Sequence, residues 1–422
     1  MTGTPSTRAD RSDTLLAGAV ILASVIWSVL TYGGTASPDL MASWLAAEAF
    51  SAGAFDQIYP ADTHVYTMTV PDTWISSLAA KGYADDIYPF VYPPLWAALI
   101  APLTETTSFE TFQSFALWLN PLWLGLTVLL AGRMIPSSLP LWAFTALGLV
   151  LLHFTLVGIV ALDQDQPQIL VSFLIVLGLE RSRFGQPIWG GIAMALAAAI
   201  KLYPLFFALA WLVRGERQAV ASFVIAGALF GAASVALAGW PLHALFLKEV
   251  QIIGATAFAN PFVWSLDPLI AQIFNAEAFT LIIPESDPEA AWSVWEKPSL
   301  WRWINIAALL GAVACVARMR SPLVWPLLAL AIGLLSPLSW GYHYITAVAF
   351  APALFALLGM RAGGGILLLF FFPLIALALP VIEKIPAPID ALPFVGVTCL
   401  GLLGAGFWSA HLRILAAKGA ED

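Results

Sequence analysis

The chain has 422 residues, of which 60% are hydrophobic and only 10% charged, against roughly a quarter charged in an ordinary soluble domain. A net charge of −8, from 26 acids and 18 bases, excludes the basic footprint of a nucleic-acid binder. Two cysteines, Cys315 and Cys399, both inside apolar runs, build neither a disulfide framework nor a zinc site.

What remains is an all-α polytopic membrane protein. A hydrocarbon core of about 30 Å needs about 20 apolar residues per helix, and twelve crossings are expected, at 14–32, 112–132, 138–160, 168–181, 186–200, 202–213, 218–239, 299–317, 322–335, 342–360, 363–381 and 391–412. The first is too long for a cleaved signal peptide and has no small-residue cleavage site after it. Tyr92–Leu103 is apolar but only twelve residues long and rich in proline, which suits a re-entrant or interfacial helix. With that segment kept from crossing, Arg8, Arg11, Arg133, Arg181, Arg183, Arg214, Arg217, Arg318, Arg320, Arg361, Arg413 and Lys418 fall on one side. An excess of Lys and Arg marks the cytoplasmic side. Both termini are therefore expected inside.

Two long segments fall on the other, outer side: Gly33–Val91 and Trp240–Leu300. Within them Leu40–Phe50 and Leu242–Ile253 are expected as amphipathic helices lying on the outer leaflet. The inner loops are only a few residues long, so chemistry is expected on the outer face.

The polar residues there carry a chemical and a structural reading each. Asp39, in SPDL just past the first helix, is placed to act as a general base, or to cap the next helix. Asp163 and Asp165, in LDQDQPQ, can hold a hydroxyl-rich or cationic ligand, or simply cap a turn. Lys201 interrupts AAAIKLYPLFF; a lysine at membrane depth is costly and suits a phosphate, unless it snorkels to the interface. His343, in SPLSWGYHY, can move a proton or bind phosphate oxygens, or serve only as a satisfied structural histidine. Asn260, Trp264 and Ser265, in NPFVWSLDP, combine amide, indole and hydroxyl as a sugar site would; interfacial anchoring by Trp is the alternative. Tyr92 and Tyr203 stand beside prolines, as belt or packing residues.

In this order the pieces resemble the GT-C glycosyltransferases of membranes, specifically glycosyltransferase family 87, which includes polyprenol-phosphate-mannose-dependent mannosyltransferases. The matching stretches are Asp39-Leu40 with Tyr59, Tyr92-Pro93-Pro94, Asp165-Gln166-Pro167-Gln168, Lys201-Leu202-Tyr203-Pro204, and Ser336-Pro337-Leu338-Ser339-Trp340 with His343. The third departs from the family's G-Q turn by placing Asp where Gly is usual. The resemblance implies a GT-C fold: a catalytic module over 14–239, with an outer loop at 33–91 and the re-entrant segment 92–103. A second outer loop over 240–298 and variable helices over 299–412 then follow, between cytoplasmic tails at 1–13 and 413–422. It implies inverting transfer of a hexose, mannose above all, from a polyprenyl-phosphate donor to an extracytoplasmic glycolipid or glycan acceptor, at a bacterial inner membrane. Asp39 would be the general base and His343 its partner near the donor phosphate. Lys201, Asp163, Asp165, Tyr92, Asn260, Trp264 and Ser265 would bind substrate. No metal, cofactor or nucleic-acid partner is implied. A secondary transporter and a non-catalytic envelope lipid binder are the alternatives, distinguished by mid-helix charges along a path and by indifference to loss of Asp39.

Overall fold

The computed structural model describes residues 11–59, 64–80, 83, 86–283, 291–385 and 391–419. Arg8, most of the expected tails and the side chain of Lys418 lie outside the described residues. Helix α1 (Arg11–Tyr32) shows how the fold is held together. It buries only Ala17, Ile21, Val25 and Ser28, a stripe at helical spacing, and turns its remaining apolar surface outward. α2 (Pro38–Ser51), a short α3 (Asp72–Ala80) and α4 (Pro94–Thr104) follow, then α5 (Phe109–Met134) and the pair α6 (Leu141–Phe154) and α7 (Leu156–Asp163). Four shorter or interrupted elements come next: α8 (Gln168–Arg183), α9 (Pro187–Ile200), α10 (Leu205–Arg214) and α11 (Arg217–Ala255). After strand β1 (Thr256–Ala259) come α12 (Leu266–Asn275), β2 (Thr280–Ile282), β3 (Trp292–Glu296), α13 (Ser299–Ala317) and α14 (Val324–Leu335). The chain ends in helical segments over Pro352–Leu374 and Ala391–Gly419.

Among the described residues six helices are long and apolar enough to cross a bilayer, and a seventh span is possible if the bent pair α6–α7 counts as one. The protein is a predominantly helical membrane protein. The expected crossing at 138–160 is broken by a 71° bend between α6 and α7, where Thr155 is extended (φ −109°, ψ 155°). The expected crossings at 168–181, 186–200, 202–213 and 322–335 are helices of 10 to 16 residues. At about 1.5 Å per residue these reach only about 15–24 Å. α11 changes direction at Gly239, whose φ of 71° is open to glycine and strained for others; the seventh crossing was expected to end at this residue.

Two expectations for the outer segments need correction. α2 is not an amphipathic surface helix: nearly every residue is buried, because α4 and α5 pack over it. A helix with cover on several sides needs apolar residues all round. The second long segment is also more than helices. It carries a three-stranded antiparallel sheet in the order β1-β3-β2. Past β1, residues 262–264 clamp the turn at 339–341: Trp264 N–H donates to Ser339 O at 2.8 Å and Gly341 N–H to Phe262 O at 2.9 Å.

Candidate active site

Asp39 sits in the first turn of α2, and Ser37 rather than Asp39 occupies the N-cap position. The capping alternative for Asp39 therefore does not apply. Its carboxyl is buried and faces a cavity of about 1340 Å³. Burial pushes its pKa above the usual carboxylate range, while Lys201 and a hydrogen bond from Gln166 pull it back.

The start of α2 is fixed from behind. Ser37 Oγ donates to Asp165 Oδ2 at 2.8 Å, and Asn120 Nδ2 donates to Asp165 Oδ1 at 3.0 Å. Gln113 Nε2 donates to Ser37 Oγ and to Thr35 O, both at 2.8 Å. Asp165 has φ 48°, the left-handed region where glycine is easiest and Asp or Asn are the tolerated substitutes. The left-handed turn therefore accommodates Asp here, and the hydrogen bonds at both oxygens offset the strain. Burial raises the Asp165 pKa to about 6, against the hydrogen bonds from Ser37 and Asn120.

Lys201 ends α9, with extended backbone (φ −139°, ψ 138°), so its side chain leaves the helix end and enters the cavity. Its Nζ lies 5.2 Å from the ring centres of both Tyr92 and Tyr342. Such a cage stabilises a cation by about 2 kcal/mol or more when water is excluded. Burial still lowers the Lys201 pKa, and Asp39 raises it again. The two tyrosines are tied together through Gln166: Tyr92 Oη donates to its Oε1, and its Nε2 donates to Tyr342 Oη, each at 3.1 Å.

His343 stands on the short 3-10 turn Gly341–Tyr344. Its Nδ1 accepts the Trp340 backbone N–H at 3.0 Å, so the neutral ring carries its proton on Nε2. That Nε2 lies 3.4 Å from Lys201 Nζ. Two N–H donors side by side on a cavity wall form a clamp for an anionic oxygen.

The cavity has two differently built walls. One is apolar and belongs to helices: Ile159, Val160, Leu202, Ala329 and Ile332. The other is polar and comes from the long segments, with Thr67, Thr69, Asp72, Asp86, Tyr88 and Asn260.

Of the residues singled out from sequence, Asp39, Tyr92, Asp163, Lys201, Asn260 and His343 converge on this cavity. Three others do not line it. Asp165 is buried behind it, with both oxygens occupied by Ser37 and Asn120. Trp264 is 0% exposed, its ring wedged where a Cβ on Gly396 would come within 2.5 Å and one on Gly341 within 3.1 Å. No sugar can stack on it. Ser265 is equally buried, and its Oγ has no hydrogen-bond partner among the described residues. Among the described residues no group of three or more His, Cys, Asp or Glu side chains is arranged to hold a metal. Gln166, Tyr342, Ser37 and Asn120 were not singled out. Gln166 carried a signal, a glutamine amid apolar helices beside a proline; Asn120 interrupts the apolar run 115–126 of α5.

Residues 90–295 match the family model described as Glycosyltransferase family 87. The stretch takes in Tyr92, Asp163, Lys201 and Asn260, while Asp39 and His343 lie on either side of it. No curated protein matches the chain.

Proposed function

As this chain belongs to glycosyltransferase family 87 and is a membrane glycosyltransferase, we propose that it moves a hexose, with mannose the expected sugar, from a polyprenyl-phosphate donor to a glycolipid or glycan acceptor. The observation that carries this reading is the pair of N–H donors on Lys201 and His343, 3.4 Å apart, on the wall of the cavity that also exposes Asp39.

In this reading the donor phosphate rests against Lys201 Nζ and His343 Nε2. An acceptor hydroxyl attacks the anomeric carbon from the face opposite the phosphate, and Asp39 takes the hydroxyl proton. The carbon–oxygen bond to phosphate breaks and the configuration inverts. The charge gathering on the departing polyprenyl phosphate is met by the same two donors, already in place.

The short helices support a lipid-linked donor. α8, α9, α10 and α14 reach about 15–24 Å across a hydrocarbon layer of about 30 Å, which sets the cavity floor below the outer edge of the membrane. A lipid tail then leaves sideways along the apolar wall, and no nucleotide-binding loop is required. The polar wall, with its hydroxyls, carboxylates and Asn260, suits a polyhydroxylated acceptor. The proposed topology is a GT-C fold of about twelve crossings in a bacterial inner membrane, with both termini cytoplasmic and the cavity extracytoplasmic. The catalytic module would comprise 14–239 together with the His343 turn.

The test is sugar transfer by membranes containing the chain, offered radiolabelled polyprenyl-phosphate hexoses and, separately, the matching nucleotide sugars. Label should reach an extractable lipid or glycan product from a lipid-phosphate donor. Transfer from nucleotide sugar alone, under conditions that block prior conversion, would overturn the donor assignment.

A further inference from the structure

At the far end of the same short helices lies a second, smaller pair of cavities. One, of about 240 Å³, is lined by Arg183, Arg214, Arg320, Ser321, Trp325 and Ile414, among others. Its neighbour, of about 510 Å³, shares Arg183, Arg214 and Trp325 and adds Glu216 and Arg217. Arg183 closes α8, whose other end starts beside the Asp165 turn; 16 residues of helix separate the two by about 24 Å.

The general excess of arginine on one side of a membrane protein accounts for the side these residues occupy but not for three of them lining one hollow. Two arginines close by are neutralised within the protein: Glu180 pairs with Arg133 at 3.1 Å and with Arg181 at 2.5 Å. Arg214 is also engaged, donating to Glu216 Oε1 at 3.0 Å and to the carbonyls of Ala317 and Met319 at 3.1 and 2.7 Å, with its guanidinium over the Trp325 ring. Arg183 and Arg320 are different. Among the described residues neither makes a side-chain hydrogen bond or ion pair. Among the described residues no carboxylate lines the smaller cavity, and the N-terminus of α14, beginning just past Ser321 and Pro322, adds its partial positive charge. Arg183 and Arg320 are solvent-exposed and Arg214 already pairs with Glu216, so water and that carboxylate screen part of the repulsion, and an anion seated in the hollow would relieve the rest.

We propose that this hollow binds the phosphodiester headgroup of an anionic phospholipid. Phosphate matches guanidinium in geometry and charge, and the setting selects a lipid over a soluble anion. The sequence neighbours of the lining residues, Phe184, Ile188, Trp189, Leu212 and Leu415, are large, apolar and exposed, so the hollow opens at the rim of a lipid-facing belt. Basic pockets between membrane helices recognise anionic headgroups in this way. The bound lipid would fasten the loops after α8 and α10 to the start of α14, steadying one end of the helices whose other ends carry the donor clamp.

The experiment uses the full-length protein, purified and delipidated, with phosphatidylglycerol, phosphatidylcholine or inorganic phosphate added. Retained lipid is counted by native mass spectrometry and stability followed by thermal unfolding. Phosphatidylglycerol should be retained and should raise the unfolding temperature. The R183Q/R320Q variant should lose at least tenfold in retention, whereas R183K/R320K should keep most of it and show that the substitutions leave the fold intact. R133Q, which removes a charge already paired to Glu180, should retain phosphatidylglycerol as wild type does. Equal retention by R183Q/R320Q overturns the site. Equal stabilisation by phosphatidylcholine overturns the headgroup selectivity, and full stabilisation by inorganic phosphate overturns the lipid source.

Discussion

The Asp39 end and the Arg320 end of the short helices treat charge in opposite ways. At the first, Lys201 and the Asp165 that supports Asp39 are enclosed by partners from distant parts of the chain. Lys201 lies between Tyr92 and Tyr342, Gln166 joins those rings, and Asp165 holds the turn that presents Asp39. At the second, arginines crowd a hollow that no carboxylate among the described residues lines. The contrast teaches how a membrane protein pays for polar groups: a site that must act on many substrate molecules is satisfied from within, so that geometry persists between turnovers. A site that only holds can leave its charges for a resident ligand.

The strongest way to break that comparison is to remove the internal base. Asp39→Asn keeps size and loses the carboxylate, and general-base catalysis contributes about 10²–10⁴-fold. Transfer from the lipid-phosphate donor should therefore fall at least a hundredfold in kcat with the protein still folded. Because burial lifts the Asp39 pKa above the ordinary carboxylate range, the acid limb of the wild-type kcat/KM profile should be displaced upward, activity being lost as pH falls through it. A profile flat through the acid range, or near-normal turnover by the variant, would remove Asp39 from the reaction.

The next largest effect belongs to the donor clamp. Lys201→Met removes a charge-assisted contact, for which about 1.5–3 kcal/mol is typical, or about 10–100-fold in kcat/KM for the donor. Lys201→Arg should not restore it. The slot between two rings, each 5.2 Å from Nζ, admits a compact ammonium, and a planar guanidinium presents its donors differently. Full rescue by arginine would show that charge alone, without the cage, accounts for Lys201.

How much of this was legible beforehand depended on distance along the chain. Helix positions could be read because apolar length is a local property; Lys201 stood out because it interrupts an apolar run, and Asp39 and His343 because they stand at the outer ends of such runs. The cover over α2 could not be read, since an all-apolar stretch looks alike whether lipid or α4 lies against it. Nor could the tie between Lys201 and His343, 142 residues apart, or the turn of Asp165 away from the cavity, which depends on Ser37 and Asn120 arriving from two other elements. A step of two residues decides the matter there. Asp163 reaches the cavity and Asp165 does not.

Asp165→Asn sharpens that difference. Its expected cost is about tenfold in kcat, through looser seating of Ser37 and hence of Asp39, with donor KM little changed. It also has a signature in stability. The folded pKa of Asp165, raised to about 6, lies above the unfolded value near 4. The native state therefore binds the extra proton, and this group's contribution to stability declines as pH rises from about 4 to about 6. Thermal unfolding across that window should show a shallower decline in the Asn variant. An unchanged slope would mean that the carboxyl remains ionised throughout, with its hydrogen bonds outweighing burial.

Trp264 gives the smallest expected effect on substrate binding and the cleanest separation of site from scaffold. Its backbone clamps the turn that carries His343: Tyr344 Oη donates to its carbonyl oxygen at 2.5 Å, and its own N–H reaches Ser339. Its ring fills the space between Gly341 and Gly396, closed to any ligand. Trp264→Phe should thus lower the unfolding temperature, since losing part of a buried indole leaves a void, while donor and acceptor KM stay within about twofold of wild type. Gly396→Ala attacks the same contact from the other side, pressing a methyl toward the indole where the space is already taken, and overpacking of this kind costs about 1–3 kcal/mol. If both substitutions reduce stability and spare KM, the tryptophan acts only as a wedge. A selective rise in acceptor KM for Trp264→Phe would instead mean that the ring swings out to meet a sugar, and the closed packing around it would have to open during turnover.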